Sequence, residues 1–555
     1  MFGKILRSWL AVIFAIAILA GCGQSVQNSG ESSQTSAGSL SENSAQATPV
    51  KTRDVGGLPL PLSTTGEVIR VMMPEVEVDD KSWTRDSFPI LEELEKRTGV
   101  KLKIDTSYME SYSNLINTRL ASGTDLPDLL VMGGADLTKM GSDGTILELN
   151  DLIKQNAPNT NRLFEKYPDI RRTITGPDGT IWGFPGRVAP ADAQYSCLVY
   201  GYRLDWLNKL GIAEPQTITD WYNMLIAFRD GDPNGNGKQD EVPLICWAPN
   251  KINGFSLAYG MSPWSNWFSQ VKGKIAFDWT SAATGPKAKE WIAEMARWYK
   301  EKLIDQAILV DHYDKAVAML VTGMAGAELE WSGAFGAMTT QMKTEYPDAY
   351  WALSAPPEGP YGDRAYENYP MTNGERWMLT KSCKNPALVI QWLDYRFASE
   401  EGQLLANYGV EGDTYKMVDG KPQFIESAVK EKHYKDPSAL MASKGMSRLP
   451  SFVPPDAERQ LSSMTMSQDS IDRLASYSGY FKTMFPFVPA TKEESGAMTN
   501  KLSDINTYLN EMICKFVTGS EPLSNYDKFI EKLNSMGIDD IVKIKQAQYD
   551  RYMKN

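Results

Sequence analysis

Strand and helix patterns alternate along the first foldable stretch of this chain, and the alternation limits the folds open to it. Residues 68–73 form a short apolar run, and residues 100–104 carry apolar side chains at every second position, which is the period of a half-buried strand. Residues 87–99 have the spacing of an amphipathic helix, and residues 128–132 predict a third strand. Strands separated by helices favour a parallel sheet with helices on both faces, the α/β class. In such sheets ligands bind at the carboxyl ends of the strands, here near residues 73–75 and 133–136.

The amino terminus has the pattern of an export signal. Lys4 and Arg7 precede an apolar run over residues 9–20, and "LAGC" closes it at residues 19–22. The run is too short to span about 30 Å of hydrocarbon comfortably. Its ending resembles a bacterial lipobox, which implies cleavage before Cys22 and diacylglycerol on the sulfur; an ordinary signal peptide with an incidental cysteine is the alternative. We therefore predict a signal peptide over residues 1–21, a disordered tether over residues 22–65, and a lipid-anchored protein on the extracellular face of the cell membrane.

Composition argues against several classes of function. The formal net charge of −12 disfavours nucleic acid as a partner. The only histidines are His312 and His433, which disfavours a histidine-centred catalytic triad or metal site. The cysteines beyond Cys22 are too widely spaced for a zinc cluster and are expected in the core, with one disulfide left open. They are Cys197, Cys246, Cys383 and Cys514.

A loop rich in carboxylate and amide side chains, "RDGDPNGNGKQDEVPL" at residues 229–244, has the alternation of a calcium-binding loop. Calcium takes about six to eight oxygen ligands, and two registers of an EF-hand-like loop supply roughly that number. The first register begins at Asp230 and places Glu241 at the twelfth position. The second requires Glu241 to fold back, because Pro243 holds its twelfth position; its ligands are Asp232, Asn234, Asn236, the Lys238 carbonyl, Asp240 and Glu241. A metal-free Asn-Gly turn is the alternative. Because no second EF-hand helix follows, a structural calcium is expected rather than a switch.

Phrases in a fixed order carry a family resemblance: "LASGTDLPDLLV", "GTILELNDLI", "DGTIWGFP", "YRLDWLNKLGIAEPQTITDWYNML" and the ending over residues 516–552. Together they resemble extracellular solute-binding protein family 1, the oligosaccharide-binding lipoproteins of ABC importers. The resemblance implies a two-lobed, periplasmic-binding-protein-like fold over residues 66–555, with a mostly parallel sheet flanked by helices in each lobe and a hinge between them.

The same resemblance implies an organisation and partners. Lobe 1 is expected at roughly 66–190 with a segment near 355–420, and lobe 2 at roughly 191–354 with 421–555. The protein is expected to be a monomer that binds an oligosaccharide and passes it to the permease subunits. Calcium-containing alginate-binding members have a similar loop, which favours the register that begins at Asp232.

A sugar site needs aromatic faces that stack on the rings and planar polar groups that bind the hydroxyls. The chain has 15 Trp residues, and those in loop-like contexts or at strand ends are candidates. The predicted substrate-binding residues are Trp264, Trp267, Trp331, Glu375, Arg376 and Trp377. Trp291 and Trp298 lie seven residues apart and are instead assigned to a buried helix face. Since Arg376 could pair with a uronate carboxylate, acidic and neutral glycans both stay open.

A glycan-active enzyme is the alternative function. A glycoside hydrolase needs two carboxylates across the scissile bond, but with 69 Asp and Glu residues some pair is unavoidable, so abundance decides nothing. The sequence has no G-x-S-x-G nucleophile motif. We therefore predict a binding protein without catalysis.

Overall fold

A computed structural model describes residues 52–75, 88–133, 137–190, 197–310, 313–368, 372, 374–429, 437–446, 448–486 and 488–554. The strands among these residues are β1 (Arg53–Val55), β2 (Leu58–Leu60), β3 (Glu67–Glu75), β4 (Val100–Tyr108), β5 (Leu129–Gly133), β6 (Phe184–Pro185), β7 (Arg187–Val188), β8 (Leu198–Arg203), β9 (Val242–Leu244), β10 (Phe268–Val271), β11 (Lys274–Phe277), β12 (Ala325–Trp331), β13 (Trp351–Leu353), β14 (Tyr366–Asn368), β15 (Glu375–Leu379), β16 (Tyr415–Val418), β17 (Lys421–Phe424), β18 (Ser451–Phe452) and β19 (Phe481–Thr483).

The helices in the same ranges are α1 (Pro89–Thr98), α2 (Met109–Ser122), α3 (Leu137–Ser142), α4 (Asn150–Asn156), α5 (Pro158–Lys166), α6 (Pro168–Ile174), α7 (Leu204–Leu210), α8 (Ile218–Asp230), α9 (Gly285–Lys300), α10 (Tyr313–Val321), α11 (Ser332–Met342), α12 (Pro386–Ala398), α13 (Glu400–Asn407), α14 (Glu426–Val429), α15 (Pro437–Ser443), α16 (Pro455–Thr465), α17 (Gln468–Ser476), α18 (Lys492–Thr518), α19 (Tyr526–Ser535) and α20 (Ile538–Lys554). A run of 3-10 turns covers Pro249–Tyr259.

The first lobe is built on a five-stranded sheet in the order β4-β3-β5-β15-β6. Successive side chains of β3 point to opposite faces, so that Val71 and Met73 lie in one buried cluster and Met72 in another. Helix α1 ends at Gly99, whose φ of 68° is a left-handed conformation that glycine adopts without steric cost. The strands and the helix predicted between residues 68 and 132 are confirmed.

Both main sheets are mixed, which corrects the prediction of mostly parallel sheets. In the first sheet β3 runs parallel to β4 and β5, but β15 runs antiparallel to β5 and β6. In the second, ordered β13-β8-β12-β9, β12 and β9 are parallel while β8 runs antiparallel to β12 and β13. The connections between the lobes explain the directions of these strands. β8 and β15 each begin where the chain arrives from the other lobe, so they run against the strands that end at that edge. The α/β class itself is confirmed.

Two large hydrophobic cores divide the described chain between two lobes. The first core takes residues from 55–188 and 377–452, and the second takes residues from 197–366 and 466–541. The chain therefore passes from one core to the other three times, within residues 189–196, 367–376 and 453–465. Trp291 and Trp298 are fully buried in the second core, as predicted. None of the four cysteines in the described ranges forms a disulfide, and Cys197 and Cys246 are buried.

Candidate ligand-binding site and metal loop

The segments that cross between the lobes enter each sheet at the edge formed by the carboxyl ends of its parallel strands. Ligands of such sheets bind at that edge. One crossing leads into the start of β8, where Leu198 pairs with Trp331 at the carboxyl end of β12. Another leads into β15 at Glu375, which pairs with Gly133 at the carboxyl end of β5. These two edges therefore border the hinge. We call Glu75, Tyr108, Gly133 and Glu375 the first edge, and Trp247, Lys251, Glu328, Glu330 and Trp331 the second edge.

Four side chains of the second edge contact one another through an ion pair, a hydrogen bond and a cation–π contact. The Lys251 ammonium donates to Glu330 Oε2 at 2.9 Å and to the Leu329 carbonyl at 2.8 Å. It also lies 4.2 Å from the ring centre of Trp247, a cation–π contact. The Trp247 indole N–H donates to Glu328 Oε1 at 3.1 Å. The one ammonium of this edge is therefore already paired with a carboxylate.

Glu328 is the least exposed acid of the second edge. Its side chain is 1% exposed, and Oε2 is buried without a hydrogen-bond partner. Burial raises the pKa of this carboxyl to about 8, against the opposing attraction of Lys251. Trp331 points from the opposite face of β12, since side chains alternate along a strand, and it is 39% exposed. The end of β12 thus offers an exposed ring on one face and acids on the other.

The first edge combines an exposed ring with acids of the first lobe. Tyr108, the last residue of β4, is 60% exposed. Glu75, the last residue of β3, is buried and accepts the Thr106 hydroxyl at 2.5 Å. Glu375 is half-buried at the start of β15. Rings and carboxylates therefore lie at both edges, the types of group that stack on sugars and accept their hydroxyl hydrogens.

Of the six predicted substrate-binding residues, Trp331 and Glu375 lie at these edges. Trp267 is 4% exposed and packs against Trp279 with ring centres 5.2 Å apart in the second core. Trp377 is fully buried in the first core. These positions correct the hypothesis for Trp267 and Trp377. A Pro- and Ser-rich context indicates a loop, but it does not show whether that loop folds down onto a core.

Trp264 and Arg376 also have structural partners. Trp264 is half-buried against the second core, and its backbone N–H donates to Glu367 at 3.0 Å. Arg376 is buried and donates to the carbonyls of Thr173 and Glu375, each at 2.9 Å. Burial lowers the pKa of its guanidinium to about 10. Arg376 is therefore committed to the backbone of the first lobe and is not presented at the edge.

Sequence reasoning missed Trp247, Lys251 and Glu328. β9 ends at Leu244, so Trp247 follows the carboxyl end of a strand that is parallel to β12. A position just past the carboxyl end of a parallel strand indicates a ligand-binding residue, but that rule was applied to the strands of the first lobe only.

The calcium-like loop after α8 folds its oxygens inward. Asp232 Oδ1 accepts the N–H groups of Gly235 and Asn236 at 3.0 and 3.1 Å, and its Oδ2 accepts that of Gly237 at 3.0 Å. Asp240 Oδ1 accepts the amide groups of Asn234 and Asn236 at 3.2 and 3.0 Å. Gly235 and Gly237 both have φ of 75°, which permits the tight turns.

Asp230 is turned away from this cluster. Its two oxygens accept Arg229 Nε and Nη2, each at 2.7 Å. Both Asp230 oxygens are therefore engaged with Arg229, whereas Asp232 and Asp240 bond within the loop.

Glu241 provides the test of whether the loop fits a cation. Both of its carboxylate oxygens are buried without a hydrogen-bond partner of normal geometry. Burial raises the pKa of this carboxyl, and Asp232 and Asp240 raise it further, while the N–H groups of Glu241 and Asn234 offset this only in part. No three His, Cys, Asp or Glu side chains converge as metal ligands anywhere in the described ranges. Asp232, Asp240 and Glu241 therefore do not converge as a ligand set in this structure, and a cation would also need the amide and backbone oxygens of the loop, which are ligand types that calcium accepts.

A family comparison covers more than half of the chain. The family described as bacterial extracellular solute-binding protein matches residues 87–403, and a domain of unknown function matches residues 494–554.

The chain belongs to the bacterial extracellular solute-binding protein family.

Curated relatives match over most of their length. The fructooligosaccharide ABC transporter substrate-binding protein FusA of Streptococcus pneumoniae is 26% identical over 506 residues, 84% of this chain and 87% of FusA. The lipoprotein LipO of Bacillus subtilis is 24% identical over 563 residues, 97% of each chain.

Solved structures agree with the two-lobed fold. The alginate-binding protein AlgQ2, solved without calcium ion, superposes with a TM-score of 0.72 at 26% identity, over 88% of this chain and 99% of AlgQ2. A FusA EF-hand mutant in complex with fructo-nystose gives a TM-score of 0.72 at 22% identity, over 88% of this chain and all of that one (100%).

The export and lipidation predictions, including Cys22, lie outside the described residues. The tether predicted over residues 22–65 is too long, because β1 and β2 form near its end and bury Val55, Leu58 and Leu60 in the first core. Within the described residues, no helix combines the length and apolar character needed to cross a membrane.

Proposed function

We propose that the protein is the substrate-binding component of an ABC importer, which captures an oligosaccharide between its two lobes and delivers it to permease subunits. It acts as a monomer, anchored through lipid on Cys22 at the extracellular face of the membrane. The names of the relatives support this assignment: FusA is a fructooligosaccharide-binding importer component, LipO is a lipoprotein and AlgQ2 binds alginate.

The observation that carries the proposal is the arrangement of two sheet edges at the hinge. Each edge ends in an exposed ring, Tyr108 or Trp331, beside buried acids. A ligand that contacts both edges stabilises the closed arrangement, because the open arrangement offers it only one edge at a time. The lobes would move about the places where the chain passes from one core to the other.

The proposed sugar site therefore differs from the sequence hypothesis. It keeps Trp331 and Glu375, adds Tyr108, Trp247 and the acids of both edges, and retains Trp264 and Arg376 only as supports. The proposed lobe boundary also moves. Met446, Leu449 and Phe452 pack in the first core, so the part of lobe 2 that follows lobe 1 is better begun near residue 453 than at 421.

The proposed cofactor is a structural calcium ion in the loop after α8. Asp232, Asn234, Asn236, Asp240, Glu241 and the Lys238 carbonyl would hold it. Calcium would supply the positive charge that Glu241 lacks in the protein alone. The loop joins α8, which is packed in the second core through Trp221 and Phe228, to β9. Holding the loop would therefore fix the join between a core helix and a sheet strand of the second lobe.

The test is calorimetric titration of the purified protein with neutral and acidic oligosaccharides, followed by analysis of the recovered sugar. Saturable binding of an oligosaccharide that is recovered intact supports the proposal. Trp331→Ala should weaken that binding, Trp331→Phe should retain most of it because a ring face remains, and the exposed control Tyr361→Ala, outside both edges, should bind as wild type. Repeated release of a shortened product would instead establish the glycoside hydrolase alternative.

A further inference from the structure

An acidic sugar requires positive charge at its binding site, and the two edges carry mostly acidic side chains. As we defined the edges, their carboxyl and amino side chains are four glutamates and one lysine: Glu75, Glu328, Glu330, Glu375 and Lys251. Lys251 is not available to a ligand anion, because its ammonium bonds Glu330 at 2.9 Å and rests on the Trp247 ring. A salt bridge with side-chain exposures of only 8% and 14% is costly to open, since either charge would be left poorly solvated.

The second cation suggested by the sequence is also committed. Arg376 is buried and donates to two backbone carbonyls of the first lobe. It would have to leave both carbonyls and turn toward the edge before it could pair with a carboxylate of a ligand.

The buried acid of the second edge supplies no compensating charge for a ligand anion. Glu328 Oε2 is buried and has no partner, although Oε1 of the same carboxyl accepts from Trp247. A buried acceptor without a donor is rare in a folded protein and costs free energy until it is satisfied. Burial raises the pKa of this carboxyl to about 8, so it is mostly protonated at neutral pH and cannot offset the negative charge of a uronate.

We propose that these edges select neutral oligosaccharides and reject oligosaccharides that carry uronate carboxylates. This specificity rests on the proposed function and names its substrate class. Glu330 is the residue that determines it, because it occupies the one ammonium that would otherwise neutralise a uronate. Neutral hydroxyls donate to the acids of the edges, and the rings of Tyr108 and Trp331 stack on the sugar faces.

The experiment uses matched ligands. Neutral oligosaccharides of three to five units are screened by calorimetry, and the tightest is compared with the same oligosaccharide oxidised at its primary alcohols to uronates. Like charges placed together at an interface are strongly unfavourable, so the oxidised ligand should bind the wild-type protein about 100-fold more weakly. Equal affinity for the two ligands, or tighter binding of the oxidised one, would overturn the inference and leave the importer assignment in place. Failure of every neutral and acidic sugar to bind would overturn both.

Two variants test the role of Glu330. Glu330→Gln releases Lys251 and should narrow the difference between the two ligands by about tenfold, mostly through tighter binding of the oxidised one. Adding Lys251→Met to Glu330→Gln should restore the difference. Glu345→Gln makes the same chemical change at an exposed position of the second lobe and should leave it unchanged. Melting curves check that each variant folds. A folded Glu330→Gln protein with the wild-type difference would refute the assignment of specificity to this residue.

Discussion

Replacing Glu241 by Gln should stabilise the metal-free protein and abolish its response to calcium. In the folded protein, burial and the nearby Asp232 and Asp240 raise the pKa of Glu241 above its ordinary 4.5. A raised folded-state pKa contributes stability that is fully present below the unfolded value and is lost as the pH rises through the folded value. The ionised form of Glu241 is therefore poorly compensated in the metal-free protein, and a neutral amide of similar shape removes that cost.

The expected magnitudes follow from the geometry. Because the buried Glu241 oxygens have no donor of normal geometry, removing the charge should raise the free energy of unfolding by about 1 kcal/mol at pH 7 in chelator. Calcium at 100 times its dissociation constant should add about 2.7 kcal/mol to the wild-type protein. It should add little to Glu241→Gln, which loses the charged ligand.

The assay is urea unfolding followed by tryptophan fluorescence, in chelator and in calcium, at pH 5 and pH 7. Asp230→Ala is the matched control, since Asp230 pairs with Arg229 outside the cluster, and it should keep the full calcium response. The register assignment is refuted if Asp230→Ala loses the calcium response, because the loop would then use the first register. The role of Glu241, which both registers share, is refuted if Glu241→Gln keeps the full response. Both fail if calcium does not change the stability of the wild-type protein.

Three further predictions concern the core, the second edge and the anchor. Trp298→Ala should lower the free energy of unfolding by about 3–5 kcal/mol, because it empties a fully buried site. Trp331→Ala should lower the free energy of unfolding by under about 1 kcal/mol and should instead weaken oligosaccharide binding by about 1–3 kcal/mol. Equal unfolding midpoints for the two variants would contradict the assignment of Trp298 to the core and Trp331 to the edge. The wild-type protein should lose stability as the pH rises from about 4.5 through about 8, which is the raised pKa of Glu328. Glu328→Gln should show a flatter dependence of the free energy of unfolding on pH. Identical pH profiles for the two proteins would show that ionisation of the Glu328 carboxyl does not destabilise the fold. Cys22→Ala should move the protein from the membrane fraction into the medium or leave it uncleaved, and unchanged lipid labelling would end the lipoprotein interpretation.

Local sequence determined the secondary structure and the loop chemistry of this protein. The period of two in β3 and β4, the helical spacing of α1 and the glycine at its end are properties of neighbouring residues, so they could be read directly. The alternation of oxygen side chains after α8 is equally local, because all of these residues lie in one short segment. Trp291 and Trp298 were assigned correctly to the core for the same reason, since seven residues along a helix return to one face.

The tertiary structure alone decided strand direction, the availability of the candidate ligand residues, and their pairing. The direction of β8 and β15 depends on where the chain returns after crossing between lobes, which no local pattern encodes. Trp267 and Trp331 both follow plausible loop or strand-end signals, yet one is packed against Trp279 and the other is exposed, because burial is set by what the remainder of the chain places over a residue. Lys251 and Glu330 are 79 residues apart in sequence, and only the fold brings them to one edge, where the charge of one is neutralised by the other.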